Sequence, residues 1–397
     1  MTGIYLDHAA TTPMRPGVAA AMRQVEEEAW GNPSSPHQVG ARARRALTEA
    51  RARVAARLGY APREIHFVRG GTEANNLAIL GRFAHLRTSA PDDPLPPFGL
   101  SALEHSSVSA PASHLEGQGV ELVRLPFDAM GRPDRSRLRQ CLERGPGLLS
   151  VQAVNSECGL ALSVEEVLEA SAAAGVPVHV DGAQALHMEL PKPSGRPLLL
   201  SLSGHKLGGP RGIAILAVPS SVALAPLLHG GPQEFGLRPG TEDVAGAVGV
   251  AQALEETMEA CAVRTGELET LRALLERRAM EATEGVRIVA REGPRSPHIV
   301  ALGLPGVETE VLLGALDLEG VAASAGSACR SGSSEPGPAV RTFLGPDATT
   351  FGILRLSLGW NTTPAEVEEA SGILHRVLRR LTRSTIAPSP SKEGSSR

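Results

Sequence analysis

Short aliphatic runs alternate with longer stretches of helical period through the first 220 residues, and the two patterns predict different elements. Strands are expected at Ile65–Val68, Gly99–Leu103, Glu121–Leu125, Leu148–Val154, Val176–Val180, Leu198–Leu202 and Gly212–Val218. A run such as Leu198-Leu199-Leu200 has no polar face, which suits a strand covered on both sides. Helices are expected from Pro16 to about residue 29, over 38–58 and from Ala74 to Phe83. The arginines of the 38–58 helix are read as a solvated face. Strand and helix in alternation predict an α/β fold with a mostly parallel sheet. Beyond a loop at 229–241, long helices are expected over roughly 244–284. A smaller α+β unit follows, with strands near Ile299–Leu302, Val321–Ala323 and Ile353–Leu358 and a last helix at about 364–382.

The polar residues cluster where the strands stop. Successive strands end in Glu104-His105, Asn155-Ser156-Glu157, Asp181-Gly182-Ala183-Gln184 and His205-Lys206. In α/β sheets ligands gather at such ends. Ile65–Val68 runs into Arg69-Gly70-Gly71-Thr72-Glu73 and then a helix, which leaves backbone N–H groups free to hold a phosphate. Taken alone, each feature has a plainer reading. Paired glycines with a threonine also start ordinary helices, His105 and His179 suit a core, and Asp181 suits a helix cap. Their joint placement favours a site.

Composition sharpens this at one point. The chain has 39 basic residues, yet its lysines are only Lys192, Lys206 and Lys392. A lysine amine can attack a carbonyl to form a Schiff base, whereas a guanidinium stays protonated. Lys192 lies between prolines and Lys392 in a Ser/Pro-rich tail, so a covalently held aldehyde cofactor points to Lys206. With pyridoxal phosphate (PLP) there, Asp181 would face the ring nitrogen and His105 would stack on the ring. Gln184 would reach the phenolic oxygen; Gly71, Thr72, Ser203 and His205 would hold the phosphate.

The remaining bulk properties exclude rather than assign. A net charge of −4 gives no electrostatic case for nucleic acid or an anionic membrane as partner. No apolar run reaches spanning length and no secretory leader is visible, so a cytoplasmic protein is expected. Cys141, Cys158, Cys261 and Cys329 show neither a CxxC pair nor zinc spacing, so free thiols and no metal site are expected.

Ten stretches, in order, resemble the class V aminotransferase family, and more narrowly its NifS/IscS-like cysteine desulfurases. They are Tyr5-Leu6-Asp7-His8-Ala9-Ala10-Thr11-Thr12-Pro13, Gly31-Asn32-Pro33-Ser34-Ser35, Gly70-Gly71-Thr72-Glu73-Ala74-Asn75-Asn76, Glu104-His105, Asn155-Ser156-Glu157-Cys158-Gly159, His179-Val180-Asp181-Gly182-Ala183-Gln184, Ser203-Gly204-His205-Lys206, Arg238-Pro239-Gly240-Thr241-Glu242, Ser327-Ala328-Cys329 and Arg355-Leu356-Ser357-Leu358-Gly359. The resemblance implies a PLP enzyme of fold type I. A large PLP-binding domain would span 14–245, a small domain 1–13 with 246–383, and a disordered tail 384–397. It implies a homodimer with the active site at the subunit interface.

By the same resemblance Lys206 carries the cofactor, and Asp181, His105 and Gln184 contact its ring. Thr72, Ser203 and His205 take the phosphate, with Thr241 supplied by the partner subunit. Asn155 contacts the cofactor and, with Arg355, binds substrate, Arg355 through the carboxylate, and Asn32 assists. Cys329 is the nucleophile that takes sulfur from L-cysteine for a sulfur-acceptor protein in Fe–S assembly, tRNA thiolation or another biosynthetic route. Cys141 and Cys261 are read as packing residues. Selenocysteine lyase, another class V activity such as aminotransfer, and a catalytically silent binding partner are the alternatives. The chain departs from the family at Val68 and Arg69, where hydroxyl residues are usual. It also departs at Lys192-Pro193-Ser194-Gly195-Arg196, a commonly acidic stretch, and in its tail.

Overall fold

The computed structural model describes residues 3–326 and 336–386. Strand β1 (Ile4–Tyr5) leads into helices α1 (Pro16–Glu28) and α2 (Gln38–Leu58). The larger unit continues through β2 (Ile65–Val68), α3 (Gly71–Ser89), β3 (Phe98–Ser101), α4 (Ser106–Gly117), β4 (Leu122–Leu125), α5 (Arg135–Glu143), β5 (Leu148–Gln152), α6 (Val164–Ala173), β6 (Val178–Asp181), β7 (Leu198–Ser203) and β8 (Ala214–Ala217). Helix α7 (Val244–Ala282) then crosses to β9 (Arg287–Ile288), β10 (Ile299–Pro305), α8 (Thr309–Leu318), β11 (Val321–Ala322), α9 (Pro338–Leu344), β12 (Phe351–Ser357) and α10 (Pro364–Ile386).

The seven strands that the aliphatic runs predict form one sheet in the order β2-β8-β7-β6-β5-β3-β4. Strands β7, β6, β5, β3 and β4 are mutually parallel. Only β8 runs against its neighbours β7 and β2. Every residue of β5, β6 and β7 is buried, because helices cover both faces. Full burial of each leucine in Leu198–Leu200 contributes roughly 1.5–3 kcal/mol, so the strand ends are held on a rigid floor.

Several boundaries differ from expectation for local reasons. Pro177 lacks an N–H, so β6 begins after it and runs on to include Asp181. β5 stops at Gln152, since Val154 bridges back to Ala161 instead. Helix α3 starts at Gly71, where the first turn is too small and polar to show helical period. Arg51 corrects the reading of α2's arginines as solvated. It follows Leu47 by one turn on the inner face, beside Ala50, Val54 and Ala55, and is itself buried.

The expected set of long helices over 244–284 is a single 39-residue helix. It contains no proline and is about 58 Å long at 1.5 Å per residue. Its first half, with Val250 and Leu254, packs into the core of the large sheet. Its second half, with Leu268 and Leu275, packs into a second core against the antiparallel sheet β12-β10-β9. Thus packing passes from one core to the other between Leu254 and Leu268, inside the helix. Strand β1 pairs with β11, and Asp7 bridges to Ser357 at the end of β12. This carries Asp7, Ala9 and Ala10 over the ends of the large sheet. Among the described residues, no helix is long and apolar enough to cross a membrane and no His/Cys/Asp/Glu cluster suits a metal ion.

Candidate active site

The polar strand ends converge on a cavity of about 190 Å³ at the carboxyl edge of the parallel strands. β7 ends at Ser203 and tightens into a 3-10 turn, Gly204–Lys206, that brings Lys206 to the cavity wall. The turn needs glycine at 204, because a Cβ there would lie 2.7 Å from the Ile213 carbonyl oxygen. Asp181, the last residue of β6, presents a carboxylate whose Oδ1 accepts from the Ala183 N–H at 2.9 Å. Its Oδ2 accepts from Asn75 Nδ2 at 2.8 Å. Gly71, Thr72, Ser203 and His205 line the same cavity. Gly71 and Thr72 belong to the first turn of α3, whose N–H groups the helix cannot satisfy internally.

His105 caps α4. The Ser107 N–H donates to its Nδ1 at 3.1 Å, and the Ser107 hydroxyl lies 2.8 Å from the same atom. Burial lowers the imidazole pKa, Asp181 opposes that shift, and Lys206 adds to it. The ring is therefore neutral near pH 7, with Nδ1 accepting and the proton on Nε2. His205 sits against Thr11 Oγ1 at 3.0 Å. Burial, with Lys206 and Arg211 adding to it, lowers its pKa to about 4. Two neutral imidazoles thus flank Lys206.

Arg355 enters from β12 and is 1% exposed. One terminal nitrogen donates to Asp7 Oδ1 at 2.7 Å and the other to the Ser156 carbonyl at 2.9 Å. Its buried Nε has no partner among the described residues. Gln184 donates to the Ala9 carbonyl at 2.8 Å, and its Oε1 lies 3.4 Å from His298 Nε2. Glu104, just behind His105, accepts from the Gln152 N–H at 2.8 Å through Oε1. Its Oε2 is buried and has no partner among the described residues. Burial, then the charge of Asp181, raises its carboxyl well above the ordinary range.

Three sequence-derived candidates lie elsewhere, and a fourth falls outside the described residues. Asn155 is buried with its amide committed locally: Nδ2 donates to the Leu103 carbonyl at 3.1 Å, and Oδ1 accepts from the Glu157 and Cys158 N–H groups. It lines an adjoining cavity of about 120 Å³ with Glu104 and His105. Thr241 lines a separate small pocket with Arg238 and Glu234. Asn32 is exposed, its Oδ1 accepting from the Ser34 N–H. Cys329 lies outside the described residues. Past that segment the chain resumes against Glu157, which accepts from the Ala339 N–H at 3.0 Å. Asn75, Ser107, Asp7 and His298 were given no role from sequence. Asn75 left one trace, a lone polar residue on the inner face of α3 beside Ala74 and Ala78.

A lysine, an opposed carboxylate, a neutral imidazole and a helix N-terminus around one cavity suit an aldehyde cofactor that carries a phosphate and a ring nitrogen. The spare Nε of Arg355 suits a substrate carboxylate. The profile of the Aminotransferase class-V family matches residues 4–369. The chain belongs to that family. Within it, the chain falls among the IscS- and NifS-like cysteine desulfurases. It is 36% identical over 389 residues to a cysteine desulfurase IscS of Dictyoglomus turgidum, covering 97% of this chain and 96% of that one. The fold matches a solved NifS-like protein with a TM-score of 0.83 and 27% identity, over 96% of this chain and all of the other. It also matches SspA in complex with cysteine, with a TM-score of 0.75 and 29% identity, over 89% and 98% of the two chains. Membership in this family implies dependence on PLP.

Proposed function

We propose that this protein is a PLP-dependent L-cysteine desulfurase that works at the Lys206 cavity and passes sulfur onward through Cys329. The observation that carries this reading is the meeting of Lys206, Asp181, His105 and Arg355 at one cavity in a chain of this family. Lys206 would hold PLP, Asp181 its ring nitrogen and His105 and Gln184 its ring, while Gly71, Thr72, Ser203 and His205 hold its phosphate. When bound, PLP supplies an electron sink for bond-breaking at the amino acid. Arg355, fixed by Asp7 and Ser156, orients the substrate carboxylate. The proton on His105 Nε2 and the Lys206 amine serve proton movement beside the substrate.

The reaction is balanced without another reactant: L-cysteine and the Cys329 thiol give L-alanine and a Cys329 persulfide. The C–S bond of the substrate breaks and an S–S bond forms at Cys329. Burial pushes the Cys141 thiol up to about 11 and Cys158 to about 12, so neither supplies thiolate near pH 7. A second copy of the chain completes the site in a homodimer. Thr241 lines a pocket apart from its own Lys206, which supports the family-based reading that it serves a partner's site. Exposed Trp30 and Phe235, 68% and 61% accessible, supply apolar surface for that contact. The family resemblance assigns Asn155, which lines the adjoining cavity, and Asn32 to substrate binding, and the acceptor is a cytoplasmic protein.

The test is the yield of alanine and sulfide from L-cysteine by the purified holoprotein, with and without a thiol reductant. Cys329→Ser should still change the cofactor's absorption on adding L-cysteine yet release little alanine. Mass spectrometry of wild type without reductant should place the added sulfur on the Cys329 peptide. Wild-type desulfuration by Cys329→Ser would overturn the assignment and leave a general class V activity.

A further inference from the structure

The buried residue that no role above absorbs is Asn75, one turn inside α3 and 2% exposed. Its Nδ2 has two hydrogens and two acceptors: Asp181 Oδ2 at 2.8 Å and Ser107 Oγ at 2.8 Å. Carboxylate oxygens only accept, so the amide nitrogen must face Asp181; turning the amide over would set two oxygens against each other. The price is an Oδ1 that stays buried with no partner among the described residues. Ser107 Oγ accepts from Asn75, which leaves its own hydrogen to share the His105 Nδ1 lone pair, 2.8 Å away, with the Ser107 N–H.

We infer that Asn75 is the positioning residue that fixes Asp181 and His105 together, through a one-way hydrogen-bond chain that begins at its amide. The Asp181 end and the Ser107 end leave the same nitrogen, so α3, β6 and α4 meet at one atom. On the Asp181 side, Asn75 and the Ala183 N–H each hold one oxygen and set the plane of the carboxylate. Both of these donors are neutral, so neither cancels the charge that Asp181 presents to the cavity. On the other side, the Ser107 N–H makes His105 Nδ1 an acceptor and keeps the ring proton on Nε2, and the Ser107 hydroxyl at the end of the chain braces the same atom. The same helix offers Gly71 and Thr72 to the cavity from its first turn. Phosphate donors and the anchor for the ring partners therefore move as one rigid piece.

This inference rests on the reading of the cavity as a PLP site, and the test separates the two. Asn75→Ala, the near-isosteric Asn75→Asp, Ser107→Ala and Asp181→Asn are compared as holoproteins. The readouts are the pH midpoint of the cofactor's visible absorption band, and kcat and KM for L-cysteine. Loosening or partly neutralising Asp181 weakens electron withdrawal through the ring nitrogen. Both Asn75 variants should therefore raise the midpoint by about one pH unit and lower kcat about 10–100-fold. KM should stay within about threefold, since Arg355 is untouched. Ser107→Ala removes the hydroxyl link but leaves the Ser107 N–H on His105 Nδ1, so it should lower kcat less than either Asn75 variant, with the midpoint near wild type. A wild-type midpoint and kcat in either folded Asn75 variant, with both moved in Asp181→Asn, overturns the inference and makes Asn75 a packing residue. If Asp181→Asn also leaves the midpoint unmoved, the cavity reading falls and takes the inference with it.

Discussion

Two buried arginines, Arg355 at the cavity and Arg51 beneath the corner at Glu234, each face one carboxylate. Arg51 meets Glu234 through both terminal nitrogens, at 2.7 and 2.8 Å, and also donates to the Ile65 carbonyl. The rings of Phe67 and Phe235 each lie 5.0 Å from its guanidinium carbon. Glu234 in turn accepts from the Phe67 N–H at 3.0 Å. Glu234 and Phe235 have φ of 50° and 58°, a left-handed conformation unfavourable for side-chain-bearing residues. The saturated ion pair holds that corner in place. Arg355 instead has one carboxylate oxygen, one carbonyl and a spare Nε beside a cavity. What separates a strut from a binding group is the surroundings: Arg355 lines the cavity, whereas Arg51 lies against the rings of Phe67 and Phe235.

If that distinction is right, substitutions at the open network should destroy chemistry and spare the fold. Lys206→Ala is the extreme case. It should abolish the borohydride-reducible linkage to PLP and lower turnover by at least about 10³-fold, since among the described residues no other lysine lines the cavity. Its melting temperature without PLP should stay within a few degrees of the wild-type apoprotein. A reducible linkage with retained turnover would remove Lys206 from the site. Asp181→Asn should follow, with turnover down about 10²–10³-fold but PLP content much less affected, because the phosphate donors remain.

The crossed pair Arg355→Lys and Arg51→Lys tests the comparison directly. A lysine at 355 cannot reproduce bidentate carboxylate binding, so KM for L-cysteine should rise about 10–100-fold with little loss of stability. A lysine at 51 cannot satisfy both oxygens of Glu234. It should cost roughly 3–5 kcal/mol in urea unfolding and leave KM near wild type. Reversal of that pattern would sink the distinction.

The same contrast explains what could be seen in the sequence. Lys206, Asp181 and His105 were legible because each follows a run of buried aliphatic residues, and strand ends of a parallel sheet share one edge. Arg51 was not, because an arginine among the many of α2 looks solvated until its partner, 183 residues away, is known. Asp7 and Arg355 are further apart still, joined only by the pairing of β1 with β11 and the bridge to β12. Asn75 sat inside a recognised motif, yet its role depends on the hydrogen bonds of three separate elements. The single helix α7 was hidden for another reason: its buried face switches from one core to the other partway along.

The smallest expected effect, and the one with the least intuitive sign, is at Glu104. Its carboxyl is raised above the ordinary value by burial and then by the charge of Asp181, against the Gln152 N–H, which favours ionisation. The folded state therefore binds a proton that the unfolded chain releases above its ordinary pKa of about 4.5. This contribution to stability is fully present below that pH and is lost as pH rises toward the folded pKa, by up to about 1.4 kcal/mol per pH unit. Glu104→Gln keeps the size and the acceptor for Gln152 without the proton uptake. Urea unfolding should show the variant matching wild type near pH 4 and becoming the more stable of the two between pH 6 and 8. The same exchange at Glu234 should act in the opposite direction, costing roughly 3–5 kcal/mol, because it strips the charge from a saturated pair with Arg51. If Glu104→Gln is instead less stable than wild type from pH 6 to 8, Glu104 is an ionised partner in a closed network, and spare valence no longer distinguishes it from Glu234.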